Sequence, residues 1–240
     1  ERGLTVSVGG TDIGAIELPP PPTLTVSPLS VALGSTIETV AGSTVDSFTV
    51  SGVNLTTDII VTPPSGVDIR VTSGSFGTTA ITLMQSGGSV STTTIEVRIS
   101  AGATGGQSFN DITVTTTGDS ENVTVSGTVL APSVSAAPTA VDVGTIYAGV
   151  AGSTVDSFDV SGSNLASDIT VTPSAGVEIR TTGSFQSTPL TITQSGGSVS
   201  ATTVEVRGSA SATAGQSFNN ITVSSGSANQ NVTVTGTVLV

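Results

Sequence analysis

The sequence contains no cysteine, no histidine, no lysine and no tryptophan. Without Cys there are no disulfides, no thiolate catalysis and no Cys-ligated zinc. Without His the usual general base and the commonest neutral metal ligand are missing. Without Lys there is neither Schiff-base chemistry nor a Lys–Asn isopeptide cross-link. Positive charge is scarce as well: 5 arginines stand against 17 acids, for a net charge of −12. Nucleic acid, whose phosphates need clustered cations, is therefore not an expected partner, and neither is anionic lipid. No apolar run approaches the roughly 20 residues that a membrane-spanning helix needs, so membrane insertion is not expected. Nothing in this residue set calls for a cofactor.

Serine and threonine make up 78 of the 240 residues, with 29 glycines and 36% hydrophobic residues. That composition suits a soluble protein of the extracellular space or cell surface. The chain opens at Glu1 without a Met or a leader, as a mature product or a piece of something longer would.

Internal repetition sets the architecture. AGSTVDSFTVSGVNL at 41–55 returns as AGSTVDSFDVSGSNL at 151–165, an offset of 110. MQSGGSVSTTTIEVR at 84–98 matches TQSGGSVSATTVEVR at 193–207, and GQSFNDITV at 106–114 matches GQSFNNITV at 215–223, both at an offset of 109. Each module is a series of short alternating runs broken by Gly, Pro, Ser and Asn. In the first module strands are expected at 24–27, 31–33, 45–51, 58–62, 67–72, 80–84, 93–99, 110–116 and 122–129. No segment has helical periodicity with caps. The expected fold is all-β: two tandem Ig-like antiparallel β-sandwich domains in a rod, with an N-terminal β-hairpin or strand arm. The expected division is 1–22 for the arm and polyproline spacer, 23–130 for the first sandwich and 131–240 for the second.

Alternation along a strand puts Ile95, Val97 and Ile99 on one face of TTTIEVRIS and Glu96 and Arg98 on the other. In GVDIRV, Asp68 and Arg70 face outward, and the second module repeats the pattern at Glu178, Arg180, Glu205 and Arg207. These residues are expected to form a solvent-facing charge ladder in which each exposed pair contributes about 0–1 kcal/mol. Phe48, Phe76 and Phe109 recur as Phe158, Phe185 and Phe218, and all are expected to anchor cores. With only Tyr147 besides these six, sugar binding by aromatic stacking is disfavoured, whereas hydrogen bonding of a glycan through loops stays open.

Calcium needs neither His nor Cys. Its one candidate site is the TGDSEN tip with Asp119 and Glu121, whose counterparts in the second module are Ala228 and Gln230. Asp46 and Asp58 recur as Asp156 and Asp168. Their turn-like contexts favour capping of backbone groups over catalysis, and no catalytic residue is assigned. Four N-x-S/T sequons, at Asn54, Asn122, Asn220 and Asn231, are permissive for glycosylation.

The ordered landmarks F-x-V-S-G-x-N-L, D-I-x-V-T-P, G-V-x-I-R, Q-S-G-G-S-V-S, T-x-E-V-R and N-V-T-V-x-G-T-V resemble an Ig-like repeat of large secreted bacterial surface proteins. The resemblance implies an extracellular location and no chemistry of its own. TDIGAIEL at 11–18 is similar to the D-I-G-A-x-E segment that ends parallel β-helix regions in such proteins, ahead of a Pro-rich spacer.

The opening arm has no counterpart in the repeat. Leu4, Val6 and Val8 alternate in one short strand, Gly9-Gly10 can form a tight turn, and Ile13, Ile16 and Leu18 follow. A lone hairpin is marginal in water. The four prolines at 19–22 form a stiff spacer of roughly 12 Å. The arm can fold back on its own module or add strands to an exposed sheet edge of a neighbouring molecule, and the second, which gives self-association, is the expected mode. The expected function is a non-enzymatic subunit of a surface filament, stalk or layer. The alternative is a spacer or adhesive module with a glycan or cell-surface ligand.

Overall fold

The computed structural model describes residues 19–240. The arm residues Leu4, Val6, Val8, Ile13, Ile16 and Leu18 lie outside the described residues.

Nine strands fill residues 23–130: β1 (Thr23–Ser27), β2 (Ser30–Ile37), β3 (Asp46–Val53), β4 (Ile59–Thr62), β5 (Val67–Val71), β6 (Ile81–Leu83), β7 (Val90–Ile99), β8 (Ile112–Thr116) and β9 (Asp119–Leu130). Nine more follow: β10 (Ser133–Ala137), β11 (Ala140–Tyr147), β12 (Asp156–Ser163), β13 (Ile169–Thr172), β14 (Val177–Arg180), β15 (Leu190–Ile192), β16 (Ser198–Gly208), β17 (Ile221–Ser225) and β18 (Ala228–Leu239). No helix occurs among the described residues. All nine segments expected in the first module are strands. The differences lie at their ends, where β2 runs on to Ile37, β7 starts at Val90 and β9 starts at Asp119.

Each nine-strand set folds into a four-stranded sheet packed on a five-stranded one. The first set has the orders β1-β3-β7-β5 and β2-β9-β8-β4-β6, and the second repeats them as β10-β12-β16-β14 and β11-β18-β17-β13-β15. Named as in an immunoglobulin domain, these are A-B-E-D and A′-G-F-C-C′. The D position is filled by β5 and the C′ position by β6, so the chain visits D before C′. Pro28 separates β1 from β2 by withholding the amide that a continuous ladder would need, and the chain crosses there to the other sheet. All pairs are antiparallel except β2 with β9 and β11 with β18, which are parallel.

The cores follow from period-two alternation. Ile95, Val97 and Ile99 are fully buried, as are Val67, Ile112 and Val114. They meet Val31, Leu33, Phe48 and Val50 from the facing strands. The second sandwich buries the corresponding set around Phe158, Ile179, Val204 and Ile221. The two clusters share no residue, so each sandwich has a core of its own.

Two aspartates tie sheet to sheet. Asp46, at the start of β3, accepts hydrogen bonds from Ala32 N of β2 and from Ser47 N, each at 2.8 Å. Asp156 does the same with Asp142 N and Ser157 N. The Ala32 contact falls where the β2–β9 register shifts between Ala32 and Ser35. Gly34 has φ +65° in that bulge, a conformation that favours glycine.

The phenylalanine expectation holds in part. Phe48 and Phe158 are each 1% exposed, and Phe109 and Phe218 pack against the cores from their margins. Phe76 and Phe185 are not core residues. Each follows the edge strand of the four-stranded sheet and folds over its outer face. Arg70 and Arg98 lie 4.1 and 4.2 Å from the Phe76 ring centroid, and Arg180 and Arg207 lie 4.2 and 4.3 Å from that of Phe185.

The charge ladder is correspondingly less solvent-facing than expected. Arg70 pairs with Glu96 and Arg98 with Asp68, and Asp68 is only 7% exposed. The outer face has room for an aromatic cover because the loop after β5 turns back, pairing Gly77 with Ile69.

Replacing Phe48 with Ala should cost about 3–5 kcal/mol by opening a core cavity. Phe76→Ala should cost about 1–2 kcal/mol, the two cation–π contacts. Equilibrium unfolding in urea checks both values, and equal losses would contradict the placement of Phe76.

Candidate functional site

The recurring carboxylates are all engaged with backbone. Asp58 accepts from Gln85 N at 3.0 Å, and the Gln85 side-chain carbonyl in turn accepts from Gly88 N at 2.7 Å. Asp168, Gln194 and Gly197 repeat the arrangement. With Asp46 and Asp156 holding β2 and β11, each of the four acts as a backbone clasp, as their turn contexts imply.

At the calcium candidate, Asp119 uses one carboxylate oxygen for Leu24 N at 2.7 Å and the other for Ser120 N at 2.8 Å, which fastens β1 to β9. No group of three or more His, Cys, Asp or Glu residues among the described residues is arranged to hold a metal ion. Of the sequon asparagines, Asn122, Asn220 and Asn231 are exposed. Asn54 is exposed too, but its amide nitrogen donates to Pro21 O at 3.3 Å.

The more informative geometry lies at the sandwich ends. Only Ala131 and Pro132 separate β9 from β10. The turn after β2 carries Glu38, whose Oε2 accepts from Ser227 Oγ of the second sandwich at 3.1 Å and from Gly105 N of the first at 3.4 Å. Ser227 sits in the two-residue turn between β17 and β18. Asn164 takes a left-handed conformation, φ +55°, and donates its side-chain amide to Ala131 O at 3.1 Å. Together with Pro132 these residues line a cleft of about 100 Å³ between the sandwiches. Gly105 is required by the close approach, since a Cβ there would lie 2.5 Å from Ala131 Cα.

The same end of the first sandwich is built the same way. Asn54, φ +56°, holds Pro21 as Asn164 holds Ala131. Beside it, Thr57 Oγ1 lies 3.1 Å from the hydroxyls of both Thr116 and Thr117 and accepts from Thr117 N. These threonines line an open groove of about 430 Å³. In the second sandwich the equivalent Ser167–Ser225 pair borders the cleft that faces Glu38.

Of the residues in these contacts only Asn54 was among the site residues expected from sequence, and it was expected as a sequon. The Asn-Leu pair that recurs in both modules marked the position of Asn54 and Asn164. The pairing of Glu38 with Ser227 left no local signal, because the two residues are 189 positions apart.

The chain is a tandem of Ig-like β-sandwiches. No family model matches the sequence, and no curated protein matches it. Among solved structures it is similar to the I9–I11 tandem of titin, at 10% identity and a TM-score of 0.36 over 90% of this chain and 66% of that one. It is also similar to a chimeric titin Z1Z2 functionalized with a KLER peptide from decorin, at 13% identity and a TM-score of 0.23 over 93% of this chain and 100% of that one.

Gly105→Ala should push the linker off its seat while leaving both cores intact. Small-angle scattering is expected to report a wider spread of inter-sandwich geometries, with an unchanged far-UV circular dichroism spectrum. Unchanged scattering would show that the close approach at Ala131 does not set the junction.

Proposed function

We propose that this protein is a non-enzymatic, extracellular structural protein, a subunit of a cell-surface filament, stalk or layer. In this reading it assembles head to tail, with residues 1–22 as the connector. The observation that carries the reading is the junction. Two separately cored sandwiches are set end to end by a two-residue linker, a bridging carboxylate at Glu38 and an amide clasp at Asn164. A catalytic protein would need a cleft with converging reactive groups. Here the recurring carboxylates are committed to backbone amides. The low fraction of charged residues, 9%, and the Thr-rich outer faces favour close lateral packing. The sequence resemblance to repeats of secreted bacterial surface proteins supports the location, and the D-I-G-A-I-E segment at 12–17 supports a place beside a β-helix region in such a protein.

Head-to-tail contacts between copies are heterologous, and where their rotation does not close they build open filaments. A strand contributed by one copy to a sheet edge of the next gives such a contact without a large apolar interface.

The open groove lined by Thr57, Asp58 and Thr115–Thr117 favours a second reading, that of a spacer or adhesive module. Its hydroxyls could hydrogen-bond a glycan or another cell-surface ligand.

Electron microscopy of the full chain beside a variant lacking residues 1–22 separates the two. The structural reading expects filaments or arrays that disappear with the arm. Dispersed particles in both samples, together with retention on glycans that is lost on Thr57→Ala, would replace it with the adhesive one.

A further inference from the structure

An edge strand presents unpaired backbone donors and acceptors, and stable folds guard such edges. The four sheets have eight edges, and their guards can be followed one by one. β1 and β10 are bracketed by prolines, Pro22 and Pro28 for the first and Pro132 and Pro138 for the second. β5 is paired along its outer edge with Gly77, through Ile69, and β14 is paired with Gln186 through Ile179. β2 and β11 are broken by bulges, and the amides of Ala32 and Asp142 there are taken up by Asp46 and Asp156. Among the described residues two edges remain, β6 and β15.

These two differ although they are repeat equivalents. β15 begins directly after Pro189, which has no N–H. The Gln186 side chain closes the approach further by donating to Thr188 O and Pro189 O, both at 3.2 Å. In the first sandwich the counterparts are Ala80 in place of Pro189 and Gly77 in place of Gln186, so both guards are missing. Directly after the strand stands Met84, which is 81% exposed where the repeat has Thr193.

We propose that β6 with its flanking residues Ala80 and Met84, an edge of the first sandwich, is the acceptor for strand addition, and that its occupant is Leu4–Val8 of a second copy. The inference rests on the proposed role of the arm in assembly. Leu4, Val6 and Val8 alternate, as an added strand must if it is to continue the face that buries Leu83. A second copy, and not the chain's own arm, is the occupant that head-to-tail assembly requires.

The test transplants the second sandwich's own guards into the first, as Gly77→Gln with Ala80→Pro, a pair that the fold already accommodates at 186 and 189. In the full chain this variant is expected to melt like the parent and to weaken association at least tenfold by sedimentation velocity, matching deletion of residues 1–22. If the guarded variant associates like the parent while the deletion does not, β6 is not the acceptor and the arm's role stands. If the deletion is also without effect, the arm's role fails and this inference fails with it.

Because the chain has no native Cys, Thr5→Cys combined with Thr82→Cys, which strand alternation puts on one outward face of the proposed pair, supplies an independent readout under mild oxidation. A ladder of disulfide-linked multimers is the expected product. An internally linked monomer would mean that the arm sits on its own sandwich, and absence of either product would mean that these positions do not meet; both results overturn the proposal.

Discussion

Two facing sheets that deliver β-branched side chains at every second position are the constraint on which this molecule depends. There is no disulfide and no tryptophan to brace the sandwich, so Ile95, Val97 and Ile99 on one sheet and Ile112, Val114 and Val123 on the other have to close the core by themselves. They do so as nearly uniform layers of small apolar groups, with one fully buried phenylalanine in each sandwich. A one-residue slip of any inner strand would send its whole set outward, so the alternation fixes register as well as burial.

Such a core has no preferred way to join its two sheets at their margins. Hydrogen bonding supplies one. Asp46 and Asp156 hold the parallel A′ strand to the B strand of the other sheet, Asp58 and Asp168 shape the turns around the C′ edge, and the Gln107 side chain ties the Thr104 turn to Ser65 O. Carboxylates that could have served chemistry are thus used to satisfy backbone amides. The outer face follows the same economy: the four arginines among the described residues are paired with acids and covered by Phe76 or Phe185.

Strand positions were legible because period-two alternation and Gly or Pro punctuation are local signals, and the repeat let each module check the other. The order of the edge strands was not legible. Nothing in the runs at 67–71 and 81–83 says that the earlier one pairs with β7 and the later one with β4. Phe76 resembled a core residue because it recurs as Phe185 together with the other phenylalanines of each module, and only the return of the loop past Ile69 places it on the arginines. The junction was legible as a short linker but not as an interface, since its contacts join residues far apart in the chain. Asp119 read as acidic and free, whereas its partner Leu24 N lies 95 residues away.

A short linker, Glu38 and Asn164 bridge the two sandwiches, and the proposed function needs them to hold the repeat as one stiff building unit. Spin labels at Thr113→Cys and Thr233→Cys, both exposed positions in a chain free of other cysteines, read this directly by pulsed electron paramagnetic resonance. A single narrow distance distribution is the predicted result. A broad distribution, as two domains on a free tether would give, would contradict the account.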